Sequence, residues 1–272
     1  MKYTKTLSCL VLLMGLQSSL LAADNVSFAD VLAAPFRQPD STHSYGADQY
    51  QFAELWLPDT SRARATVVFI HGGCWLNQFD IGYSRAWSSA LAEAGFAVWS
   101  LEYRRTGDEG GGWPGTFEDI VSGINALTNV ESIDTDNLAL IGHSAGGHLA
   151  LLAGARSELL TVEPDLVVGL AAISDVVSYA AGSNSCQAAT PAFMGGDVNE
   201  RAQQYFDANP GNHGLHENTV LLQGDIDEIV PLSQATLEGA RTLISPGAGH
   251  FDWTHPNTAA FRRLLELLDE NF

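Results

Sequence analysis

The feature that most constrains this chain is a serine between glycines at the junction of two apolar segments. An apolar run at 138–141 ends at Gly-His-Ser-Ala-Gly, residues 142–146, and an alanine- and leucine-rich segment follows. This pattern predicts a strand, a sharp turn and a helix. Such a turn lifts the serine hydroxyl clear of the sheet in a strained backbone conformation, which requires small neighbours. The glycines around Ser144 meet that requirement, and we interpret Ser144 as a candidate nucleophile.

The predicted helix begins directly after this serine. The first N–H groups of a helix have no partner within it, and the helix dipole is positive at that end. We therefore expect the N–H of Ala145 to favour a negatively charged oxygen. The alternative interpretation of the pentapeptide is a glycine-rich turn that only begins a buried helix.

Length and composition indicate an ordinary globular chain with an unusual charge. The chain has 272 residues, of which 46% are hydrophobic and 17% charged, and α/β folds of this length are commonly single domains. Acidic residues outnumber basic ones 32 to 13, which gives a net charge of −19. This excess would repel nucleic-acid phosphates and anionic membrane surfaces. We expect no nucleic-acid partner.

Residues 1–22 have the layout of a secretory signal peptide. Lys2 and Lys5 precede an apolar stretch at 7–16, and small residues follow. The apolar stretch is too short to span a bilayer, so a retained anchor is the weaker alternative. We expect an exported protein, periplasmic or extracellular, that consists of a single domain at 23–272 and has no stable membrane anchor.

Cysteine usage leaves the question of a disulfide open. Cys74 and Cys186 would remain after cleavage, 112 positions apart. An exported chain permits a disulfide, but two cysteines do not establish one. The sequence contains no Cys/His cluster with metal-ligand spacing, and we expect neither a metal nor another cofactor.

Apolar segments alternate with helical ones along the chain, and the pattern predicts a doubly wound, mostly parallel sheet with helices on both faces. Residues 24–42 contain two prolines without a clear period and are interpreted as an irregular arm. The predicted strands lie at 50–57, 65–70, 97–103, 138–141, 166–173 and 219–223, and the predicted helices lie at 83–94, 117–127 and 258–268.

Residues 176–216 lack sheet character and show only short helical patterns. A stretch of this length is either a functional insertion or disordered. The aromatic residues Tyr179, Phe193 and Tyr205 favour an ordered cap over the sheet.

A serine hydroxyl becomes a good nucleophile when a histidine removes its proton and a carboxylate orients that histidine. In sheets of this type, such groups follow strands at their carboxyl ends, in the chain order serine, acid, histidine. Asp227 and His250 satisfy this order. Asp225 and Asp175 also follow strands and compete as the acid, and His255 competes as the base.

The segment after the predicted strand 65–70 supplies candidate oxyanion donors. Gly72 and Gly73 allow the backbone to approach a substrate closely, and their N–H groups can stabilise the oxyanion of acyl transfer. A plain strand-to-loop turn is the alternative interpretation. Trp75 and Trp253 are expected to line an apolar mouth of the site, with burial in the core as the alternative. His143 and His148 are interpreted as packing or hydrogen-bonding residues.

Together these motifs resemble the α/β-hydrolase fold enzymes, in the esterase/lipase branch that includes hormone-sensitive-lipase-like esterases and kynurenine formamidases. The resemblance covers the chain from about residue 45 to the end. It depends on His-Gly-Gly-Cys-Trp at 71–75, Gly-His-Ser-Ala-Gly-Gly at 142–147, the segment 224–231 and Gly-Ala-Gly-His-Phe at 247–251.

The resemblance implies an α/β-hydrolase fold with a small cap insertion, Ser144 as nucleophile, Asp227 as acid and His250 as base. It also implies an oxyanion hole formed by the amides of Gly72, Gly73 and Ala145. We expect an exported serine hydrolase that cleaves a small carboxylic ester through an acyl-enzyme intermediate. An aryl formamidase or peptidase-like amidase is one alternative, and a non-catalytic binding module on the same fold is another. The sequence does not indicate the acyl chain length or the oligomeric state.

Overall fold

The computed structural model describes residues 25–272. The predicted signal peptide at 1–22 lies outside the described residues. Within 25–272, none of the helices is long and apolar enough to cross a membrane.

One eight-stranded sheet forms the centre of the molecule, in the spatial order β1-β2-β4-β3-β5-β6-β7-β8. The strands β1 and β2 are antiparallel to their neighbours, and β3 to β8 run parallel. This arrangement confirms the predicted mostly parallel sheet. The strands are β1 Ser41–Ser44, β2 Phe52–Trp56, β3 Thr66–Ile70, β4 Ala97–Leu101, β5 Leu138–His143, β6 Leu166–Leu170, β7 Thr219–Gly224 and β8 Arg241–Ser245.

Register in the middle of the sheet brings the candidate site together. The central strands are buried along their whole length, as expected for apolar runs covered on both faces. Ile70 at the end of β3 pairs with Gly142 near the end of β5. The loops that follow these two strands therefore begin side by side at one edge of the sheet. The loop after β3 contains Gly72, and the turn after β5 contains Ser144.

Helices cover both faces of the sheet and define two apolar layers. One layer contains α3 and α4, including Ile120 and Leu149, and the other contains α2 and α8, including Trp87 and Leu264. The first ten residues of α4 are buried, because it lies between the sheet and other helices. The helices are α1 Phe28–Ala33, α2 Arg85–Glu93, α3 Gly115–Asn125, α4 Ala145–Ala155, α5 Val176–Ala180, α6 Ser185–Met194, α7 Ala202–Ala208 and α8 Ala259–Asn271.

The prediction of an irregular arm at 24–42 was wrong at 28–33, which form α1, and at 41–42, where β1 begins, whereas residues 34–40 are irregular. The short helix α1 is held by a capping box in which Ser27 and Asp30 bond each other's backbone N–H groups. The strand β1 is polar and only four residues long, and it pairs with β2 alone. Elements this short show no hydrophobic period in the sequence.

Residues 176–212 form α5, α6, α7 and a 3-10 turn without a strand. A disulfide and side-chain hydrogen bonds hold this region against neighbouring loops. A disulfide joins Cys186 in α6 to Cys74 in the loop after β3. The hydroxyl of Tyr179 and the side-chain amide of Asn184 both donate to the carbonyl oxygen of Ile229, at 3.1 and 2.8 Å. The disulfide answers a question that the sequence left open.

Candidate active site

Ser144 lies in a strained turn between β5 and α4, with φ 57° and ψ −119°. Its backbone N–H donates to the carbonyl oxygen of Leu170 at 2.9 Å, which fixes the turn against β6. Its side chain does not cap the helix and is therefore available for chemistry. Glycine is required on both sides, since a Cβ at Gly142 would lie 2.1 Å from the Gly146 carbonyl oxygen and one at Gly146 would lie 2.2 Å from that of Ile70.

The turn after β7 and the turn after β8 bring Asp227 and His250 into contact. Asp227 Oδ2 accepts a hydrogen bond from His250 Nδ1 at 2.8 Å. The other carboxylate oxygen accepts the N–H groups of Ile229 and Val230, each at 2.8 Å. Gln223 donates to Oδ2 at 3.1 Å. These bonds fix the carboxylate, and the Asp227–His250 bond leaves Nε2 as the imidazole nitrogen available to a substrate.

The environment of Asp227 favours its charged form. Burial opposes ionisation, but the attraction and hydrogen bond of His250 and the amides of Val230 and Ile229 outweigh burial and lower the pKa of the carboxyl. An ionised carboxylate can orient the imidazole and stabilise the imidazolium that forms during proton transfer.

Ser144 and His250 line the same cavity, which has a volume of about 230 Å³. Within the described residues, the Ser144 hydroxyl makes no hydrogen bond to the imidazole. Such bonds are often long in proteins without substrate and shorten when substrate binds. The walls are mostly apolar and include the aromatic rings of Phe28, Phe79 and Phe251 on one part of the surface and the Cys74–Cys186 disulfide on another.

The competing acids and base have structural roles. Asp225 accepts the N–H of Gly247 at 2.7 Å and stabilises a turn. Asp175 is the N-cap residue of α5 and accepts the N–H of Val177 at 3.0 Å. His255 accepts the N–H of Asn257 at 3.3 Å, just before α8.

The backbone of the loop after β3 differs from the predicted oxyanion hole at one position. The N–H of Gly72 donates to the hydroxyl of Tyr83, so it is not available to a substrate oxygen, and its assignment to the oxyanion hole needs correction. No pattern in the sequence indicates that Tyr83 would occupy this group. In residues 25–272, the N–H groups of Gly73, Cys74 and Ala145 donate to no protein atom.

A chain of hydrogen bonds links the loop after β3 to residues 247–251, the turn that contains His250 and is called the histidine turn below. The Tyr83 hydroxyl accepts from Gly72 and lies 3.1 Å from Nδ1 of His143. Nε2 of His143 lies 3.0 Å from the carbonyl oxygen of His250. Since that carbonyl can only accept, His143 carries its proton on Nε2 and accepts from Tyr83 at Nδ1. Burial lowers the pKa of His143 from 6.5 to about 3, which keeps the ring neutral.

Buried polar side chains also hold the loop after β3 in place. Nδ1 of His71 bonds the carbonyl oxygen of Gly72 at 2.8 Å, and Nε2 bonds Glu102 at 3.0 Å. Glu102 also accepts the N–H groups of Ile81 and Tyr103, and it lies 3.1 Å from the buried guanidinium of Arg105. Burial opposes ionisation of Glu102, but these partners lower its pKa.

The two tryptophans that the sequence suggested as substrate contacts do not line the cavity. Trp75 is fully buried and stacks on Phe193 with ring centroids 4.6 Å apart. Trp253 is fully buried in the other apolar layer, with α2 and α8. Both side chains pack in the core, and the prediction that they line the mouth of the site was wrong. Phe28, Phe79, Tyr83 and Phe251 line the cavity instead.

Metal chemistry has no evident site in the described part of the chain. No group of three or more His, Cys, Asp or Glu side chains between residues 25 and 272 could hold a metal ion.

The sheet order, the serine turn and the Asp227–His250 pair define a protein of the α/β-hydrolase fold. The family model BD-FAE matches residues 54–239, more than half of the chain, and the chain belongs to this family. Esterase LipC of Mycobacterium tuberculosis is 32% identical over 117 residues. That match covers 40% of this chain and 28% of LipC, so it spans less than a third of the relative.

Solved structures share the fold at lower identity. Esterase B from Lactobacillus Rhamnosis superposes with a TM-score of 0.73 at 22% identity, over 89% of this chain and 88% of that one. A truncated carbohydrate esterase from gut microbiota superposes with a TM-score of 0.69 at 21% identity, over 86% and 99% of the two chains. At these identities the likeness establishes the fold.

Proposed function

We propose that this protein is an exported serine esterase that cleaves a small carboxylic ester through an acyl-enzyme intermediate. The observation that supports this most directly is the 2.8 Å bond between Asp227 and His250 beside the strained, uncapped Ser144, at a common cavity. The names of the relatives, esterase LipC and esterase B, agree with an ester substrate.

In the first half of the reaction, His250 accepts the proton of the Ser144 hydroxyl as the oxygen attacks the ester carbonyl. The carbonyl carbon becomes tetrahedral and its oxygen takes the negative charge. Collapse breaks the bond to the alcohol oxygen, which leaves with the proton from His250. Asp227 stabilises the imidazolium during both transfers. Water then attacks the acyl-enzyme by the same route and releases the acid and free Ser144.

The oxyanion is held by backbone amides. Ala145 supplies the first N–H of α4, where the helix dipole adds to the attraction. Gly73 supplies a second donor, and Cys74 supplies a third in place of Gly72, because the Gly72 amide is engaged by Tyr83. One oxyanion donor is worth about 2.7–4 kcal/mol in such reactions.

The decisive experiment is covalent labelling with a fluorophosphonate probe. The wild-type protein should be labelled on Ser144, and Ser144→Ala should lose the label while it keeps the wild-type melting temperature. Folded wild-type protein that takes up no label would support a non-catalytic binding module instead. Hydrolysis of p-nitrophenyl acetate compared with N-formylkynurenine then separates the esterase from a formamidase.

A further inference from the structure

The first described residues of the chain lie against the candidate active site. Phe28 begins α1 and lines the cavity that contains Ser144. Its ring centroid lies 5.4 Å from that of Phe251, 5.8 Å from that of Phe79 and 5.7 Å from that of Tyr83. Phe251 directly follows the histidine of the site. Part of the aromatic wall therefore comes from a segment outside the sheet.

A single buried carboxylate holds this segment and the histidine turn together. Asp252 accepts the N–H of Asn25 at 2.7 Å and that of Val26 at 3.3 Å. The same side chain accepts the N–H of Gly249 at 2.5 Å, and Gly249 precedes His250. Asp252 is fully buried, so these backbone groups are its partners in place of water.

Local contacts fix the direction in which Phe28 points. The capping box of Ser27 and Asp30 closes the first turn of α1, and Val31 is buried at 2% exposure. On the same helix, Leu32 is 55% exposed. Phe28 is half-buried at the cavity while Leu32 faces solvent, which makes the two residues a matched pair for comparison.

We propose that Phe28 determines substrate specificity by packing against an apolar substituent of the ester, and that Asp252 is the positioning residue that keeps Phe28 at the cavity and orients the His250 turn. This inference rests on the proposed esterase function. A single methylene in an apolar pocket changes kcat/KM by roughly tenfold or more. Loss of the phenyl ring should therefore affect long or bulky esters and leave the smallest esters nearly unchanged.

The test compares Phe28→Ala with Leu32→Ala on two ester series. One series lengthens the acyl group from acetate to hexanoate on p-nitrophenol, and the other lengthens the alcohol from methyl to hexyl on acetate. In one of the series, Phe28→Ala should lower the ratio of kcat/KM for the long ester to that for the short ester by about tenfold. Leu32→Ala should keep the wild-type ratios.

Failure of this inference differs from failure of the proposed function. Wild-type protein that neither hydrolyses p-nitrophenyl acetate nor takes up a fluorophosphonate overturns both. A labelled, active wild type whose two ratios are unchanged in Phe28→Ala overturns the role of Phe28 alone.

The role of Asp252 is tested by combining variants. Asp252→Asn replaces one carboxylate oxygen by an NH₂ group that faces backbone N–H donors. The variant should therefore release both the N-terminal segment at 25–26 and the histidine turn. The long-to-short ratio should fall as in Phe28→Ala, and kcat on acetate should fall as well. Adding Phe28→Ala to Asp252→Asn should change the ratio no further, whereas two independent effects would multiply. A multiplied effect, or a wild-type ratio in Asp252→Asn, overturns the positioning role.

A milder variant covers the case in which Asp252→Asn does not fold. Asp30→Ala removes the acidic half of the exposed capping box, whose hydrogen bonds are made to Ser27, and should loosen α1. The ratio for long esters should fall while kcat on acetate stays at the wild-type value. An unchanged ratio in a variant whose α1 amides exchange faster would overturn the proposal.

Discussion

His143 Nε2 donates a hydrogen bond of 3.0 Å to the backbone carbonyl oxygen of His250, 107 positions along the chain. The two ring centroids lie 4.6 Å apart. The residue that precedes the proposed nucleophile in the sequence thus holds the backbone of the proposed base. His143 is in turn fixed by Tyr83, whose hydroxyl also accepts the amide of Gly72. This arrangement couples the positions of three loops.

Replacement of His143 by leucine should lower kcat on p-nitrophenyl acetate by about tenfold. The substitution leaves the buried carbonyl of His250 and the buried hydroxyl of Tyr83 without their partner, at a cost of about 1–3 kcal/mol for each unsatisfied group. The measurement is steady-state kinetics together with a thermal melt. His143→Gln is the matched variant, because its amide can donate to the carbonyl and accept from Tyr83. It should retain more activity than His143→Leu, and equal losses in the two variants would contradict the hydrogen-bond role.

The sheet and the positions of Ser144, Asp227 and His250 at its edge could be predicted because each follows a local signal. An apolar run that ends in small residues indicates the end of a parallel strand, and strand ends meet at one edge of the sheet. The chain order of the three residues adds a second signal of the same kind.

The remaining features depend on contacts between distant parts of the chain. The occupation of the Gly72 amide by Tyr83 and the bond from His143 to His250 have no signature in residue spacing. Trp253 is buried in the apolar layer that contains α8. In a sequence, a buried tryptophan cannot be distinguished from one that lines a pocket. The helix α1 is only six residues long and has one buried side chain, Val31, which is too short for a period to be visible.

Two buried histidines, His143 and His148, should make the protein less stable as the pH falls below about 6.5. Burial lowers the pKa of His148 from 6.5 to about 4. Between these values the unfolded chain binds a proton that the native protein does not, so the free energy of unfolding decreases with falling pH by about 1.4 kcal/mol per unit for each such histidine. This contribution to stability is fully present above pH 6.5 and is lost as the pH falls towards 4.

His148→Gln should reduce that slope by about 1.4 kcal/mol per pH unit. Glutamine does not titrate, and its amide can donate to the carbonyl oxygen of Ala208, as Nε2 of His148 does at 2.7 Å. Urea unfolding at pH 7.5, 6.0 and 5.0 gives the slope for the wild type and the variant. Parallel slopes would show that His148 is charged in the native protein or buried less than the structure indicates.

Removal of the disulfide should destabilise the protein by about 3–5 kcal/mol. Cys74 and Cys186 are separated by 112 positions, and a cross-link over a long loop strongly restricts the unfolded chain. The paired variant Cys74→Ser/Cys186→Ser should melt at a lower temperature than oxidised wild type. Reductant should lower the melting temperature of the wild type and leave that of the paired variant unchanged. A reductant effect of equal size on both proteins would point to a cause other than this bond.

Glu102→Gln should lower both stability and kcat, because the partners of the Glu102 carboxylate are all hydrogen-bond donors. His71, Ile81, Tyr103 and Arg105 all donate to Glu102 or lie in ion-pair contact with it. An amide group in that position would face another donor and would remove the nearer of the two carboxylates beside the buried guanidinium, since Asp108 lies 3.6 Å away. The cost is at most about 3–5 kcal/mol. The His71 bond to the Gly72 carbonyl fixes the loop that supplies the proposed oxyanion donors, so kcat should fall about tenfold as that loop loosens.

Glu54→Gln is the control for Glu102→Gln. Glu54 is also buried and pairs with an arginine, at 2.6 Å from Arg85, but it lies on β2 and does not line the cavity. Its substitution should lower the free energy of unfolding and leave kcat on p-nitrophenyl acetate at the wild-type value. Urea unfolding and kinetics on both variants separate a general loss of stability from a specific effect on the loop. A kcat that falls equally in the two variants would assign the loss to stability, and the link from Glu102 through His71 to the oxyanion donors would then be wrong.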